Sequence, residues 1–207
     1  MKINKTSVVF PVALILLTFV IAIFFYYRLP PQIATHWGIN GQADGYTSKL
    51  FGLFFMPVLS VFLLILLISL PQFDPYKKNF DQFKNYAQNF NKLVFAFFFY
   101  IYIATIVWNL GLHFNMIQII SPAFSILFYY IGVLMAHAKQ NWFVGFRTPW
   151  TMSSVVVWDK THKVGSKLFK ATSLISLLSL FLPDLSIFFI LIPIIFVSIF
   201  VFAYSYI

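Results

Sequence analysis

Hydrophobic and polar positions alternate along this chain in long blocks. Six blocks are almost wholly apolar: residues 8–27, 50–70, 93–112, 119–138, 167–183 and 186–206. At about 1.5 Å of rise per helical residue, such lengths suit a hydrocarbon layer of ~30 Å. The fifth block is the most polar, with Lys167 and Lys170 at its start and Thr172, Ser173, Ser176 and Ser179 within it. Those hydroxyls can bond the helix's own carbonyls, and the lysines can reach back to the interface. Pro183-Asp184 then makes a tight turn into the sixth block. The first block follows Lys2 and Lys5, is longer than a secretory h-region, and ends in Tyr26-Tyr27-Arg28 without a small-residue cleavage site. It reads as a retained span.

The polar connections predict three further elements. Residues 28–49, RLPPQIATHWGINGQADGYTSK, open with Pro30-Pro31, which ends the first helix. Asn40-Gly41 and Asp44-Gly45 are turn dipeptides, so Ile33 to Trp37 is expected to form a strand that folds back as a small hairpin. In residues 71–92, Asp74-Pro75 has the form of an N-cap followed by Pro at the first helical position. Phe80, Phe83, Ala87, Phe90 and Val94 then recur at spacings of three and four, on one helical face. One continuous helix is expected, its first half protruding or lying along the interface before it enters lipid. The third connection contains GFRTPWTMSSVVVWDKTH at 145–162. Thr148 caps a predicted helix with Pro149 as its first residue and Gly165 as its stop. Trp150, Ser154, Val157, Trp158, Thr161 and Val164 fall on one side, with Met152, Asp159 and Lys163 opposite. That pattern predicts an amphipathic interfacial helix anchored by two tryptophans.

Composition supports a membrane protein. The chain is 61% hydrophobic and 9% charged, against roughly 25% charged in soluble domains. Its net charge of +9 would suggest nucleic acid in a soluble protein. With the N-terminus inside, however, twelve of the fourteen Lys and Arg fall on cytoplasmic segments, leaving only Arg28 and Lys49 outside. That bias predicts six spans with both termini in the cytoplasm and explains the basicity by membrane orientation, not nucleic acid. The expected fold is all-α, with an N-terminal two-helix module at 1–70 and a C-terminal four-helix module at 71–207. Loop 28–49 is external and loop 139–170 cytoplasmic. Membrane lipids are the surroundings this composition requires.

Candidate chemistry is sparse. Cysteine is absent and all five carboxylates are Asp. His36 with Asp44 offers two metal ligands where zinc asks for three or four. His113 and His137 sit near span ends, in reach of interfacial water. Asn109 and Ser60, inside spans, suggest interhelical hydrogen bonds. Arg147 stands just ahead of a helix start, where it can hold a carboxylate or phosphate, or pin carbonyls at the end of the preceding span. No ionisable residue lies mid-span, which speaks against a proton-coupled pump. No nucleotide loop, zinc-protease helix or nucleophile elbow is present, so neither an enzyme nor a cofactor is expected. A small transporter or channel is the alternative function. A membrane enzyme using His36 or His162 as a base is the weakest of the readings.

Two motifs then resemble the SdpI-like membrane proteins. The first is external: Leu29-Pro30, His36-Trp37, Gly41, Asp44-Gly45 and Lys49, with Ala34 where the family pattern commonly has Pro. The second is cytoplasmic: Asn141, Gly145-Phe146-Arg147-Thr148-Pro149-Trp150-Thr151 and Val157-Trp158-Asp159-Lys160-Thr161-His162. Phe146, Met152 and Lys163 depart from the family's usual Ile, Leu and Arg. The resemblance implies an immunity protein of the bacterial plasma membrane that protects against a secreted, membrane-active peptide toxin. It also implies a signalling role, in which a small cytoplasmic repressor is held at the membrane. On that basis Pro30, His36, Trp37, Asp44 and Lys49 are external candidates for toxin contact. Asn141, Arg147, Thr148, Pro149, Trp150, Trp158, Lys160, Thr161 and His162 are candidates for a cytoplasmic partner.

Overall fold

The computed structural model describes residues 5–207; Lys2, one of the cations assigned to the inside, lies outside them. The elements in order are α1 (Lys5–Tyr26), β1 (Gln32–Trp37), β2 (Ala43–Ser48), α2 (Lys49–Ser69), α3 (Lys77–Asn109), α4 (Met116–His137), α5 (Pro149–Ser153), α6 (Val155–Ser176) and α7 (Ser186–Tyr204). Among the described residues, five helical segments are long and apolar enough to cross a membrane: Val8–Tyr26, Lys49–Gln72, Lys77–Asn109, Met116–His137 and Pro183–Tyr204. The chain is a multi-pass helical protein.

The expected fifth span, 167–183, is not an independent helix. It is the rear half of α6, extended by a 3-10 turn at Leu177–Leu180. Asp159, Lys160, Lys163, Lys167 and Lys170 make α6 too polar to qualify by composition. Its packing register is nevertheless that of a full partner to α4. Gln118 Nε2 donates to the Leu180 carbonyl at 3.0 Å, and Ser125 Oγ donates to the Ser173 carbonyl at 2.8 Å. Farther along, Gly132 and Gly165 let the two helices close. A Cβ on Gly132 would lie 2.7 Å from the Ser166 carbonyl oxygen, and one on Gly165 would lie 2.6 Å from Met135 Cε. The two helices therefore run antiparallel along nearly the whole of α4. Phe128, Met135 and Phe169 join Ile190 and Val197 of α7 in one core.

α3 is one continuous helix of 33 residues, as the apolar spacing predicts. One local expectation fails at its start. Asp74 does not cap it: the helix begins at Lys77, and Asp74 Oδ1 accepts from the Tyr76 amide at 2.8 Å in an Asx turn. The predicted face of Phe80, Phe83 and Ala87 is covered by protein, buried against Leu134, Ala138 and Trp158.

The helix expected from Thr148 to Gly165 is broken in two. Ser154 is extended (φ −139°, ψ 122°); its amide closes α5 on the Trp150 carbonyl, and its hydroxyl accepts from Val157 to cap α6. Gly165 stops nothing. It lies mid-helix, where the close approach of Met135 leaves no room for a side chain.

At one end of the bundle the hairpin forms as expected, antiparallel, with Ile33 opposite Thr47 and Trp37 opposite Ala43. Asn40-Gly41 makes the turn, with Gly41 at φ +72°. Asp44-Gly45 does not turn. It lies in β2 at a bulge, where Gly45 faces His36 and a Cβ would sit 2.8 Å from His36 Cβ. Ile33 buries with Ala22, Leu29, Leu53, Tyr102 and Ile106, tying α1, α2 and α3 to the hairpin.

Candidate functional site

The hairpin is held by two asparagines. Asn109, at the end of α3, accepts from the Ala34 amide at 2.7 Å and donates to the Ala34 carbonyl at 3.0 Å. Its carboxamide supplies both bonds that a neighbouring strand would give β1. The expected interhelical role of Asn109 is thus corrected to a helix-to-strand one; Ser60 is buried. Asn115 caps α4 through Gln118, and its Nδ2 donates to the Asn40 carbonyl at the hairpin tip. Trp37 packs edge-on against Trp108 at 5.9 Å, and His113 lies over Trp108 at 4.3 Å.

The external candidates separate in this frame. His36 and Asp44 are exposed and paired at 2.5 Å. Pro30 is exposed, whereas Trp37 is half-buried. Lys49 opens α2 with its ammonium 4.8 Å from the Tyr26 ring centre. Among the described residues no three metal-ligating side chains converge.

The opposite end is built around the loop between α4 and α5. Asn141, fully buried, folds that loop on its own side chain. Its Oδ1 accepts from Phe143 and Val144, and its Nδ2 donates to the Lys139 and Val144 carbonyls. Thr148 and Thr151 form a reciprocal capping box on α5. Thr148 also accepts from Ser205 at 3.0 Å, which fastens the end of α7 to the loop. Trp150 lies edge-on to Phe202 and Tyr206 of the same terminal turn.

Trp158 and His162 sit one helical turn apart and are both buried. Trp158 Nε1 donates to the Ala138 carbonyl at 2.8 Å. His162 Nε2 accepts from the Phe146 amide at 3.1 Å, which leaves Nδ1 as the protonated nitrogen, donating to the Trp158 carbonyl at 2.8 Å. Burial lowers the His162 pKa from 6.5 to about 4, against the opposing effects of the Trp158 hydrogen bond and nearby Asp159. The ring is neutral at physiological pH. Gly145, at φ +109°, passes directly beneath it: a Cβ there would lie 2.2 Å from His162 Nε2.

Trp158 is therefore not an interfacial anchor. Its ring is enclosed by protein because α3 and α4 present Phe83, Ala87 and Leu134 to the same face. Among the cytoplasmic candidates, Asn141, Thr148, Trp158, Thr161 and His162 are buried and Trp150 is half-buried. Arg147, Pro149 and Lys160 are exposed. Arg147 Nη1 donates to the Trp142 carbonyl, pinning a carbonyl of its own loop.

Sequence reasoning missed two residues that complete this end. Gln140 is buried and donates to both the Thr151 and Met152 carbonyls, while its own carbonyl accepts from Asn79 on α3. Asp74, also buried, accepts from the Trp142 amide through Oδ2 at 3.1 Å. A polar Gln-Asn pair three residues past the end of an apolar helix is the available signal for the first. The Asp-Pro pair was read only as a cap.

Comparison with known proteins adds a frame to this geometry. Residues 13–61 match the family model of a domain of unknown function (DUF1648), and residues 137–206 match that of the SdpI/YfhL protein family. The first match contains the hairpin; the second contains α5, α6, α7 and the buried Trp158–His162 pair. The immunity protein SdpI of Bacillus subtilis (strain 168) is 29% identical over 182 residues, covering 87% of this chain and 83% of that protein. No solved structure matches the chain.

Proposed function

We propose that the chain, whose residues 137–206 match the SdpI/YfhL family model, is a member of that family and protects a bacterial cell from a secreted, membrane-active peptide toxin. The observation that carries the reading is its similarity to an immunity protein over 87% of its length, hairpin and cytoplasmic loop included. The protein resides in the plasma membrane with six crossings and both termini inside. The crossing added to the five apolar ones is the rear half of α6 with its 3-10 extension, supported by the antiparallel register with α4. The cation bias supports the orientation.

In this reading the hairpin meets the toxin. It presents exposed His36, Asp44, Ile39 and Tyr46 on a base fixed to α3 and α4. On the other side a small repressor meets the exposed cations Arg147 and Lys160, with Lys163 and Lys139 nearby in the chain. The buried set of Asn141, Thr148, Trp158, Thr161 and His162 shapes that surface from beneath. α3 connects the two ends: Asn109 holds the hairpin, and Asn79, eight turns away at about 3.6 residues per turn, holds the Gln140 carbonyl.

The test is expression in a toxin-sensitive bacterium that lacks its own immunity protein. Growth in the presence of toxin should be restored by the native chain. His36→Ala with Tyr46→Ala should lose protection at an unchanged membrane level. Arg147→Ala with Lys160→Ala should keep protection while losing repressor recruitment to the membrane fraction. Failure of the native chain to restore growth against any secreted membrane-active peptide tested would end the immunity reading.

A further inference from the structure

A cleft of about 880 Å³ lies beneath the hairpin. Its back wall is α3, through Ile101, Tyr102 and Thr105. One side is α2, through Phe51, Phe55 and Met56, and the other is α4 and α7, through Ile120, Phe124, Ile187 and Leu191. Thr35, Trp37 and Asp44 of the hairpin form the roof. The volume falls within the roughly 300–1,000 Å³ of small-molecule sites. α2 packs on α1, α3 and the hairpin, while α7 packs on α6 and α4. The cleft therefore separates two groups of helices that α3 joins. Its rims carry outward-facing apolar side chains, Phe51 and Phe55 on one side and Leu191 on the other, each about half exposed.

We propose that this cleft binds a neutral amphiphile of the acylglycerol class, an aliphatic chain bearing oxygen acceptors at its head, admitted sideways from the bilayer. Three observations support that occupant. The first is the gradient of polarity: the end beneath the hairpin holds Thr35, Thr105, His36 and Asp44, and the remainder is aliphatic and aromatic. A guest that matches it has one polar end and one long apolar body.

The second is the hydrogen-bond inventory. Tyr102 and Trp37 both line the cleft, and the Tyr102 hydroxyl and Trp37 indole N–H are buried without partners among the described residues. Buried donors are normally satisfied. An indole N–H can only donate, so the missing complement is an acceptor, such as an ester or hydroxyl oxygen. The third is charge. Among the described residues no Lys or Arg lines the cleft, and its ionisable groups besides Tyr102 are Asp44 and His36, already paired with each other. A carboxylate or phosphate head would meet Asp44 with no cation to offset it, so the head is uncharged.

The test uses the purified full chain in maltoside micelles and a monoacylglycerol with a diazirine in its acyl chain. Photolabelling should saturate and should map to peptides containing Phe55, Ile101 and Ile120. Unlabelled mono-oleoylglycerol should displace it. Oleate and tetradecane, which carry the wrong charge and no acceptor respectively, should compete about tenfold less well. Tyr102→Phe keeps the ring and removes the hydroxyl; it should weaken the saturable labelling about five- to tenfold, the size expected for one lost hydrogen bond. Trp37→Phe provides an independent reading if that variant does not fold. Labelling that never saturates and spreads over all the apolar helices would mean boundary lipid alone and overturn the site. Saturable labelling displaced equally by oleate and unchanged in both variants would overturn the neutral, acceptor-bearing head.

Discussion

His162 lies flat on Trp158, with ring centroids 3.9 Å apart and planes inclined by 18°. The pair is the point at which α6, the loop before α5 and the end of α4 are joined. Trp158 holds the Ala138 carbonyl, and His162 takes the amide of Phe146. Because an amide N–H can only donate, Nε2 must be unprotonated, and the joint works only with a neutral imidazole.

Stability should consequently depend on pH in one defined window. The folded pKa of His162 is lowered to about 4 from 6.5 by burial. Between those values the unfolded chain binds a proton that the folded chain refuses, so stability rises with pH there. The contribution is complete above about pH 6.5, declines through the window and levels off near pH 4. Its full size is about 3 kcal/mol. Thermal melting in detergent at pH 7.5, 5.5 and 4.5 should show the decline. His162→Phe should flatten most of it, and an unchanged pH profile in that variant would show that other groups carry the dependence.

Two glycines with positive φ separate strain from contact. Gly145→Ala forces both an unfavourable backbone, φ +109°, and a methyl into His162. It should destabilise by about 2–4 kcal/mol and abolish the protection of the Phe146 amide. Gly111 has nearly the same φ, +102°, but nothing within 4 Å of an added Cβ. Gly111→Ala should cost only about 1–2 kcal/mol. Equal melting temperatures for the two variants would remove the contact from the explanation.

Where the sequence was readable, local chemistry and tertiary packing agreed. The hairpin followed from Pro30-Pro31, the Asn40-Gly41 turn and an apolar Ile33, none of which needs a distant partner to be interpreted. The continuous α3 followed from its apolar spacing. Trp158 shows the limit: spacing places it on a face with Thr161, but a helical wheel does not say whether lipid or protein covers that face. Gly165 and Asp74 fail in the same way, since a stop and a close approach, or a cap and an Asx turn, use the same residue types. The number of crossings was blurred because α6 carries its lysines on a helix whose other face is committed to α4. Of the site between α4 and α6, the motif Gly145 to His162 was visible, but not that Thr148, Thr151, Thr161 and His162 point inward. Gln140 and Asp74 escaped because their partners, Thr151, Asn79 and Trp142, are brought near only by the fold.

Asp74 clamps the turn before α3 to the loop after α4. Removing the carboxylate strands the Trp142 amide, so Asp74→Ala should cost about 1–3 kcal/mol and speed hydrogen exchange at Trp142 and Tyr76. Asp74→Asn keeps one acceptor oxygen and should fall between. Exchange at Trp142 as slow in Asp74→Ala as in the native chain would rule out the clamp.

Asn109 should be the residue on which the hairpin's order depends. Ala34 is fully buried and both of its backbone groups are held by the one carboxamide. Asn109→Ala leaves an unpaired donor and an unpaired acceptor, a loss of about 2–4 kcal/mol concentrated at one end of the molecule. Asn109→Asp retains the acceptor for the Ala34 amide and loses the donor to its carbonyl. Limited proteolysis should cut between residues 38 and 42 quickly in the first variant and more slowly in the second. The loop between α4 and α5 should keep its native protection in both. Loss of protection at both ends together would mean that Asn109 supports the whole bundle.

The last prediction concerns the sixth crossing, and the absence of cysteine makes it direct. Single cysteines can be placed at exposed sites and modified by a membrane-impermeant thiol reagent applied to intact cells. Gln42→Cys at the hairpin should react from outside, and Lys160→Cys at the start of α6 should react only after the cells are opened. Phe181, 77% exposed in the turn between α6 and α7, discriminates the topologies. If α6 runs beside α4 through the bilayer, Phe181→Cys lies outside with the hairpin. If α6 stays at the cytoplasmic surface, Phe181→Cys is protected and the C-terminus at Ile207 emerges outside instead. The antiparallel bonds from Gln118 to Leu180 and from Ser125 to Ser173 require the first outcome whenever α4 itself crosses. The rear of α6 can accept that position because Ser173 and Ser176 satisfy their hydroxyls within the bundle and Lys170 reaches along Tyr129 toward the interface. Labelling of Phe181→Cys from outside, with Ile207→Cys protected, would establish six crossings; the reverse pattern would establish five.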